Sequence, residues 1–273
     1  MAIVPESLGI ELSSDQEGAV FAAALESLIH AADDLSVFVA AAEAVLIDLV
    51  EADAAAYADI DFSRWSFRAR WSEDRSDFAA LMGRYHRLMG RKTVWTGSRS
   101  GAPQQFSDFM DDRTLYDTAV YSDVLRPLSI NRGAVFGFPA SAHVGVNFGL
   151  YRQSRAPYPP AALARLKRIR PTLSQLYGLS LVRTWSRLSP ADKLDRLDLP
   201  LTAKQRQVAR LLLQGLTSEE VARALGISGE TSRNHVRAIY QRLAVQNRVD
   251  LTLALTSDPP ETLPVSACVS AGP

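Results

Sequence analysis

Long polar side chains recur along one side of the segment from residue 228 to 243. Most are spaced three or four positions apart, which places them on one face of a helix: Glu230, Arg233, Asn234, Arg237, Gln241 and the neighbouring Arg242. Guanidinium and amide groups can pair with guanine and adenine edges, glutamate can accept from cytosine, and the donors can reach phosphate oxygens. These residue types favour recognition through hydrogen bonds and charge rather than bond-making chemistry.

The other side of the same segment is apolar. Ser228 is a preferred N-cap residue and predicts where the helix begins. The apolar positions follow at the 3.6-residue period of a helix, so this side should pack on neighbouring helices: Val236, Ile239, Tyr240 and Leu243. The period predicts a helix from Ser228 to Leu243 whose polar face points away from its support.

Two capping signals precede this helix. Thr202 is followed three residues later by Gln205, and Thr217 is followed three residues later by Glu220. Each pair has the spacing of a capping box, in which side chains bond the free backbone N–H groups of a helix start. We therefore predict that one helix begins at residue 202 and a second at residue 218.

Two glycines mark where these helices end. Gly215 follows the apolar run that closes the first helix, and Gly226 follows Leu225 in the second. Glycine adopts the left-handed conformation that ends a helix without Cβ strain. Helices of about 202–214 and 218–225, with a short glycine-containing turn before the third, indicate a helix-turn-helix arrangement.

The string LTAKQRQVARLLLQGLTSEEVARALGISGETSRNHVRAIYQRLAVQNRVDL resembles the C-terminal DNA-binding domain of LuxR-type transcriptional regulators. The resemblance implies an all-α four-helix domain in which Ser228 to Leu243 is the recognition helix. It implies that a fourth helix, about Asn247 to Thr256, supports or dimerises the domain. Carried over by position, the expected DNA contacts are Arg233, Asn234 and Arg237.

Two positions depart from the family pattern. Gln205 stands where glutamate is usual, and Ser232 stands where valine is usual. Ser232 should face the interior, where a small hydroxyl loses apolar packing of about 1 kcal/mol per missing methylene. We expect its oxygen to bond a carbonyl one turn earlier in the same helix.

Charge is balanced over the chain but unevenly distributed. The sequence has 273 residues, with 30 basic and 30 acidic, and Arg64 is the first basic residue after thirteen acidic ones. Residues 201–256 carry eight basic against four acidic side chains. This segregation favours nucleic-acid binding confined to one domain.

Several other classes of function are disfavoured. Cys268 is the only cysteine, and the four histidines are scattered, so we expect no disulfide, no metal and no cofactor. No hydrolase, phosphate-loop or dinucleotide motif is present, so the chain is not expected to be an enzyme. No apolar run is long enough to span a membrane, and the sequence predicts a cytoplasmic protein.

The part before residue 180 has mixed periodicity. Helical stripes are predicted from about Asp15 to His30, over residues 35–49 and from Asp77 to about Met89. A strand–turn–strand pattern covers residues 54–71, and a further helical stretch capped by Ser107 or Asp108 is predicted through Leu125. A long helix should run from Pro159-Pro160 to about Leu188. This pattern is typical of an α+β domain.

Two adjacent antiparallel strands are predicted within this domain. Val144, Val146, Phe148 and Leu150 alternate with glycine and asparagine, and residues 133–138 follow a similar pattern. One face of the sheet would therefore be apolar and the other nearly bare. A bare face admits something close, either a packed helix or a ligand, and we favour the helix.

The first domain also resembles, more loosely, the GAF-like N-terminal domains found on some LuxR-type regulators. The resemblance rests on LYDTAVYSDVLRPLSI and GLYRQSRAPYPPAALARLKRIRPTL. The Trp, Tyr and Asp-Pro pattern of the acyl-homoserine-lactone-binding domain does not align with this sequence. Scattered aromatics are more often core residues, but as an alternative they could line a small-molecule pocket: Trp65, Trp71, Trp95, Tyr116, Tyr121, Phe136 and Phe148.

These observations predict four segments. Residues 1–180 would form the GAF-like domain, 181–200 a helix extension and polar linker, 201–256 the helix-turn-helix domain, and 257–273 a disordered tail. The expected function is a DNA-binding transcriptional regulator that acts as a homodimer on double-stranded DNA and is modulated by the first domain. A small-molecule effector of unknown identity is a candidate further partner. The alternative is a ligand-binding or protein-interaction protein whose C-terminal module does not bind DNA.

Overall fold

The computed structural model describes residues 14–89, 102–256 and 259–271. The chain divides into two compact units, residues 1–180 with 264–273, and residues 181–263. None of the helices among the described residues is long and apolar enough to cross a membrane.

The first unit is a six-stranded antiparallel sheet with helices. Its sheet order is β3-β4-β5-β1-β2-β6. The strands are β1 Ala54–Asp61, β2 Ser66–Trp71, β3 Gln104–Gln105, β4 Arg132–Pro139, β5 Val144–Arg152 and β6 Val269–Ala271. The helices are α1 Ser14–Ala31, α2 Leu35–Val50, α3 Phe78–Met89, α4 Asp112–Tyr116 and α5 Pro160–Arg187, the last of which continues into the second unit.

Most sequence predictions for this unit are confirmed, including the β1–β2 hairpin, the adjacent strands β4 and β5, and the long α5. The stretch predicted as one helix through Leu125 is instead broken into three pieces: a 3-10 turn at Phe106–Asp108, α4, and a π-helical turn at Tyr121–Leu125. Asp111, rather than Ser107 or Asp108, caps α4 by accepting from the Thr114 N–H at 2.8 Å.

One face of the sheet packs on helices through aromatic rings. Tyr57 of β1 and Phe148 of β5 lie side by side on this face, with ring centroids 5.7 Å apart. Tyr177 of α5 stacks on Tyr57 at 6.5 Å and contacts Phe138 edge-on at 5.6 Å. The large apolar side chains of β4 and β5 therefore belong to a core between the sheet and the helices.

The other face carries glycines, as predicted. Side chains of α3, among them Leu81 and Met82, pack in the apolar cluster on this face, and aromatic rings fill the space directly above the glycines. A Cβ on Gly133 would overlap the ring of Phe106, and a Cβ on Gly149 would overlap the ring of Tyr151. Tyr151 in turn stacks on Trp71, with centroids 5.3 Å apart. The bare backbone thus makes room for rings that lie flat against the sheet.

The second unit is helical. It contains α6 Pro190–Arg196, α7 Ala203–Leu213, α8 Ser218–Leu225, α9 Gly229–Arg242 and α10 Arg248–Thr256. The last four match the four helices predicted from the sequence. The observed architecture is an α+β domain with an antiparallel sheet, followed by a helical domain.

Two predictions about the connecting segments are wrong. The segment predicted as a polar linker contains α6, which Ser189 caps by accepting from the Asp192 N–H, and Leu194 is fully buried in the core of the second unit. The predicted disordered tail contains β6, which pairs with β2. In both cases a few apolar or strand-forming residues in a polar, proline-rich segment find partners far away in the sequence.

Candidate nucleic-acid interface

Both predicted capping boxes of the second unit are present. Thr202 and Gln205 exchange backbone–side-chain bonds at the start of α7. Thr217 and Glu220 do the same at the start of α8, where the Thr217 N–H donates to Glu220 Oε2 at 2.7 Å and lowers the pKa of that carboxyl. Each helix start is therefore fixed by local bonds that the sequence spacing indicates.

The start of α9 is held in the same way. Ser228 Oγ accepts from the Thr231 N–H at 3.0 Å, which satisfies one of the free donors of the first turn. Gly226 ends α8 in the left-handed conformation, with φ of 62°. The turn between α8 and α9 is thereby confined to two residues beyond the glycine.

The apolar side of α9 joins the core of the second unit. Ile239 is fully buried together with Val208 of α7 and Val221 of α8. Val236 and Tyr240 are partly buried against the same core, and burial raises the pKa of Tyr240. This packing fixes the rotation of α9 about its own axis.

Ser232 is fully buried on the side of α9 that meets α8. Its hydroxyl donates to the backbone carbonyl of Ser218, the first residue of α8, at 2.8 Å. The expectation of a bond one turn earlier in the same helix was wrong, because the carbonyl of the neighbouring helix lies within reach. The polar departure from the family pattern is thus satisfied across the helix pair.

The opposite side of α9 is exposed along its length. We call its five outward polar residues the reading face: Glu230, Arg233, Asn234, Arg237 and Gln241. All five are exposed, as the helical period predicts. Arg237 Nη1 and Asn234 Oδ1 lie 3.5 Å apart, so the two side chains that carry the expected base contacts are neighbours.

Arg233 has an acidic neighbour from α8. Its Nη1 lies 3.3 Å from Glu219 Oε1, and both side chains are more than half exposed. An ion pair in water contributes little to stability, so Arg233 remains able to exchange this partner for a phosphate. Glu219 nevertheless adds a competing negative charge beside the reading face.

Arg242 differs from these five residues. Its guanidinium donates to Gln205 Oε1, the same oxygen that accepts from the Thr202 N–H. The side chain therefore turns toward α7 instead of continuing the reading face. This contact joins the end of α9 to the start of α7, and a DNA contact by Arg242, whose side chain is exposed, stays a prediction.

The first unit contains an apolar cavity of about 100 Å³. It lies on the glycine face of the sheet, and its lining includes Tyr85, Phe106, Met110, Leu115, Val135 and Tyr151. None of these residues was among those predicted to line a pocket. The glycine pattern indicated the correct face, but the covering side chains come from segments whose position the sequence does not reveal.

The residues predicted for a pocket are dispersed. Phe136 and Phe148 stack on each other at 5.9 Å on the opposite face of the sheet, where they are core residues. Trp71 borders a smaller space beside the cavity. Trp65 lies in the β1–β2 turn against Phe62.

Two further residues predicted for a pocket, Tyr116 and Tyr121, are neighbours. Tyr116 and Tyr121 pack against each other, with centroids 4.6 Å apart, at the edge of the same apolar cluster. Trp95 lies outside the described residues. Within the described ranges, no group of three or more His, Cys, Asp or Glu side chains is placed to hold a metal ion.

Comparisons with known proteins bear on both units. The family model of bacterial regulatory proteins of the luxR family matches residues 199–255. A putative HTH-type transcriptional regulator of Aeromonas salmonicida is 49% identical over 51 residues, which is 19% of this chain and 26% of that protein. The Escherichia coli regulator UhpA is 42% identical over 52 residues, 19% of this chain and 26% of that protein. The chain thus covers about a quarter of each of these two relatives.

Solved structures are similar over a larger part of the chain. The crystal structure of the VqsR LBD domain from Pseudomonas aeruginosa matches this chain with a TM-score of 0.47 and 17% sequence identity. The match covers 60% of this chain and 98% of that chain. CepR2 of Burkholderia cenocepacia, described as N-acylhomoserine lactone dependent, gives 0.47 at 15% identity, over 64% of this chain and all of that chain.

The second unit thus combines the capped helices α7 to α10, a buried apolar side of α9 and an exposed polar one with a family match over residues 199–255. The local geometry and the sequence match identify the same segment. Residues 199–255 form a helix-turn-helix domain of the LuxR family of bacterial regulatory proteins.

Proposed function

We propose that this protein is a cytoplasmic transcription regulator that binds duplex DNA by placing α9 in the major groove. The observation that carries the proposal is the reading face, whose five polar side chains are all exposed while the opposite side of the helix is held in the core. The width of the major groove admits an α-helix. An exposed row of amide and guanidinium donors on a fixed helix matches the hydrogen-bond acceptors that base edges present in that groove.

Affinity and specificity would come from different residues. Basic side chains around α9 would bind phosphates and release counterions, so that binding weakens steeply with salt. Asn234 and Arg237 would pair with base edges, each good bidentate pair contributing about 1–3 kcal/mol of discrimination against a wrong base. Arg233 would bind phosphate or base in place of Glu219.

A homodimer is part of this proposal. On α10, Val249 and Leu253 are 66% and 62% exposed, and their four-residue spacing puts them on one side of the helix. Two exposed apolar side chains on a short helix are suited to pairing with a second copy. Two reading faces would then address half-sites about one helical turn of DNA apart.

Titration of a target promoter fragment at two salt concentrations tests DNA binding. Fluorescence anisotropy at about 50 mM and about 200 mM salt should show a loss of affinity of at least an order of magnitude for several phosphate contacts. The variant Arg237→Ala, which removes a proposed base contact, should bind the target fragment more weakly at both salt concentrations. Affinity that does not change with salt would favour the alternative in which the second unit contacts only proteins.

Asn234→Ala tests base recognition separately. Loss of the amide should reduce the ratio of the affinity for target DNA to the affinity for unrelated DNA by roughly tenfold. The affinity for unrelated DNA should stay the same. Gln207→Ala is a matched control, since Gln207 is exposed on α7, away from the reading face. Unchanged site preference in Asn234→Ala would remove its assigned role.

We also propose that the GAF-like first unit modulates DNA binding through a small-molecule effector. The apolar cavity supports this, together with two buried polar groups on the same face of the sheet: the indole N–H of Trp71 and the amide of Asn147 have no hydrogen-bond partner among the described residues. An effector with an apolar body and a polar group would suit both features. Native mass spectrometry of the purified protein should detect a bound small molecule that is lost on unfolding.

A further inference from the structure

The chain returns to the first unit after the DNA-binding unit. We call residues 264–271 the return segment. It begins where the second unit ends, and its strand β6 extends the sheet beyond β2. The second unit is therefore connected to the first at both of its ends, through α5 and through the return segment.

The return segment is joined to the sheet by a short strand. β6 pairs with β2 over three residues, Val269 with Ala69, Ser270 with Arg68 and Ala271 with Phe67. A three-residue edge strand is a weak unit that opens more readily than the core of a sheet.

Two further contacts precede the strand. The backbone N–H of Ser266 donates to Ser36 Oγ of α2 at 3.0 Å, and the two hydroxyl oxygens lie 3.2 Å apart. Val265 is buried, with 4% of its surface exposed. The segment is therefore docked at a defined place by one buried side chain, one serine pair, a short ladder and the packing of Val269 on the apolar cluster to which α3 contributes.

Cys268 lies between these contacts, so the reactivity of its thiol depends on whether the segment is docked. It is half-buried in the docked segment, and burial, followed by the negative charge of nearby Asp59, raises the pKa of its thiol to about 12. A thiol in that state reacts slowly with alkylating reagents, because the thiolate is the nucleophile. Detachment would return it to water and to ordinary reactivity.

We propose that the return segment is a releasable tether that restrains the DNA-binding unit when docked and frees it when β6 detaches from β2. Attachment at both ends limits the orientations that a unit can sample, whereas attachment through α5 alone leaves more of them open. A dimer must bring two reading faces to two half-sites with fixed spacing, so restraint lowers its affinity. The regulatory part of this inference rests on the proposed DNA-binding function.

Docking of the return segment and binding of DNA are linked thermodynamically. If DNA binds the detached form better, DNA must also favour detachment, by the same factor. Alkylation of Cys268, the only cysteine in the chain, measures detachment without any engineering. Locking the segment and measuring DNA affinity tests the reverse direction.

The first experiment follows alkylation of Cys268 by N-ethylmaleimide in the full chain. Val269→Pro, which removes the backbone donor that faces β2 in the pairing with Ala69 and fixes its φ, should speed the reaction on the order of tenfold. Val269→Ile is the matched control, since isoleucine suits a strand, and it should react like the unmodified chain. Equal rates for Val269→Pro and Val269→Ile would overturn detachment, whether or not the protein binds DNA.

The second experiment locks the segment through Ser36 and Ser266. In the triple variant S36C/S266C/C268S, oxidation with diamide should join the two new cysteines and lower the affinity for promoter DNA by at least about tenfold, and dithiothreitol should restore it. Equal affinity of the oxidised and reduced forms, with the disulfide confirmed by mass, would overturn the regulatory role. No DNA binding by the reduced form would overturn the proposed function, and the alkylation rates would still decide whether β6 detaches.

Discussion

The hydroxyl of Ser232 in α9 donates to the backbone carbonyl of Ser218 in α8, over 2.8 Å. Both residues sit where α8 and α9 cross, and Ser232 has no exposed surface. A buried hydroxyl without a partner would be costly, so this bond makes the polar residue compatible with the interface. It also sets how α9 lies on α8, and thereby where the reading face points.

Replacing Ser232 by Ala should lower the free energy of unfolding of the second unit by about 1 kcal/mol, because a buried hydrogen bond is lost. Urea denaturation followed by circular dichroism measures this difference. Ser218→Ala is the matched control, since the accepting carbonyl belongs to the backbone and stays in place. If both variants lost the same stability, the cross-helix bond would not be the cause.

Removing the charge of Glu219 should strengthen DNA binding. Glu219→Gln releases Arg233 from its ion pair and removes a negative charge beside the reading face, so affinity for promoter DNA should rise about two- to fivefold at low salt. Stability should change by less than about 0.5 kcal/mol, because both partners are exposed. The matched control is Glu261→Gln, which changes the net charge by the same amount at an exposed position after α10. Anisotropy titrations measure the DNA affinity of both variants. A similar gain in both variants would indicate a general charge effect.

The helix-turn-helix could be predicted from the sequence because its signals are local. Capping pairs such as Thr217 and Glu220 lie three residues apart, and the buried and exposed sides of α9 follow from its period alone. The return segment could not be predicted, because β6 pairs with residues about two hundred positions earlier. α6 was missed for a related reason: Leu194 stands in a charged, proline-bounded stretch, and only its tertiary partners show that it is buried.

The cavity was predicted only in part, for a different physical reason. Alternation along β5 showed that the sheet has a glycine face and an apolar face, but aromatic content alone does not tell which face borders open space. Phe136 and Phe148 lie on the helix-packed face, whereas Phe106 reaches the glycine face from an irregular segment. Side chains from turns and short helical pieces have no period from which their direction follows.

Stability of the first unit should depend on pH through Glu43. This carboxyl pairs with Arg70 at 2.9 Å, yet burial dominates and raises its pKa from 4.5 to about 7. Between these values the folded chain holds a proton that the unfolded chain has released, so stability falls as pH rises from about 4.5 to 7. The difference is on the order of 3 kcal/mol.

Denaturant unfolding at pH 5 and pH 7.5 measures the contribution of Glu43. Glu43→Gln, which mimics the protonated side chain, should flatten this pH dependence and raise stability at pH 7.5. Glu26→Gln, at an exposed position on α1, should leave the dependence as it is. If Glu43→Gln instead lost stability at both pH values, the charged pair with Arg70 would outweigh the cost of its burial.

Gly133→Ala should disturb the cavity through Phe106. An added Cβ would overlap the Phe106 ring, which both covers Gly133 and lines the cavity, so the ring must move. Overpacking of this kind costs about 1–3 kcal/mol, which corresponds to a fall in melting temperature of roughly 2–12 °C for a domain of this size. Gly178→Ala is the matched control: its added Cβ meets nothing within 4 Å, and alanine in a helix such as α5 should raise stability slightly. Scanning calorimetry of the two variants should therefore show shifts in melting temperature of opposite sign. If the Gly133→Ala protein were as stable as the unmodified chain, Phe106 would move without cost and the cavity would tolerate a displaced ring.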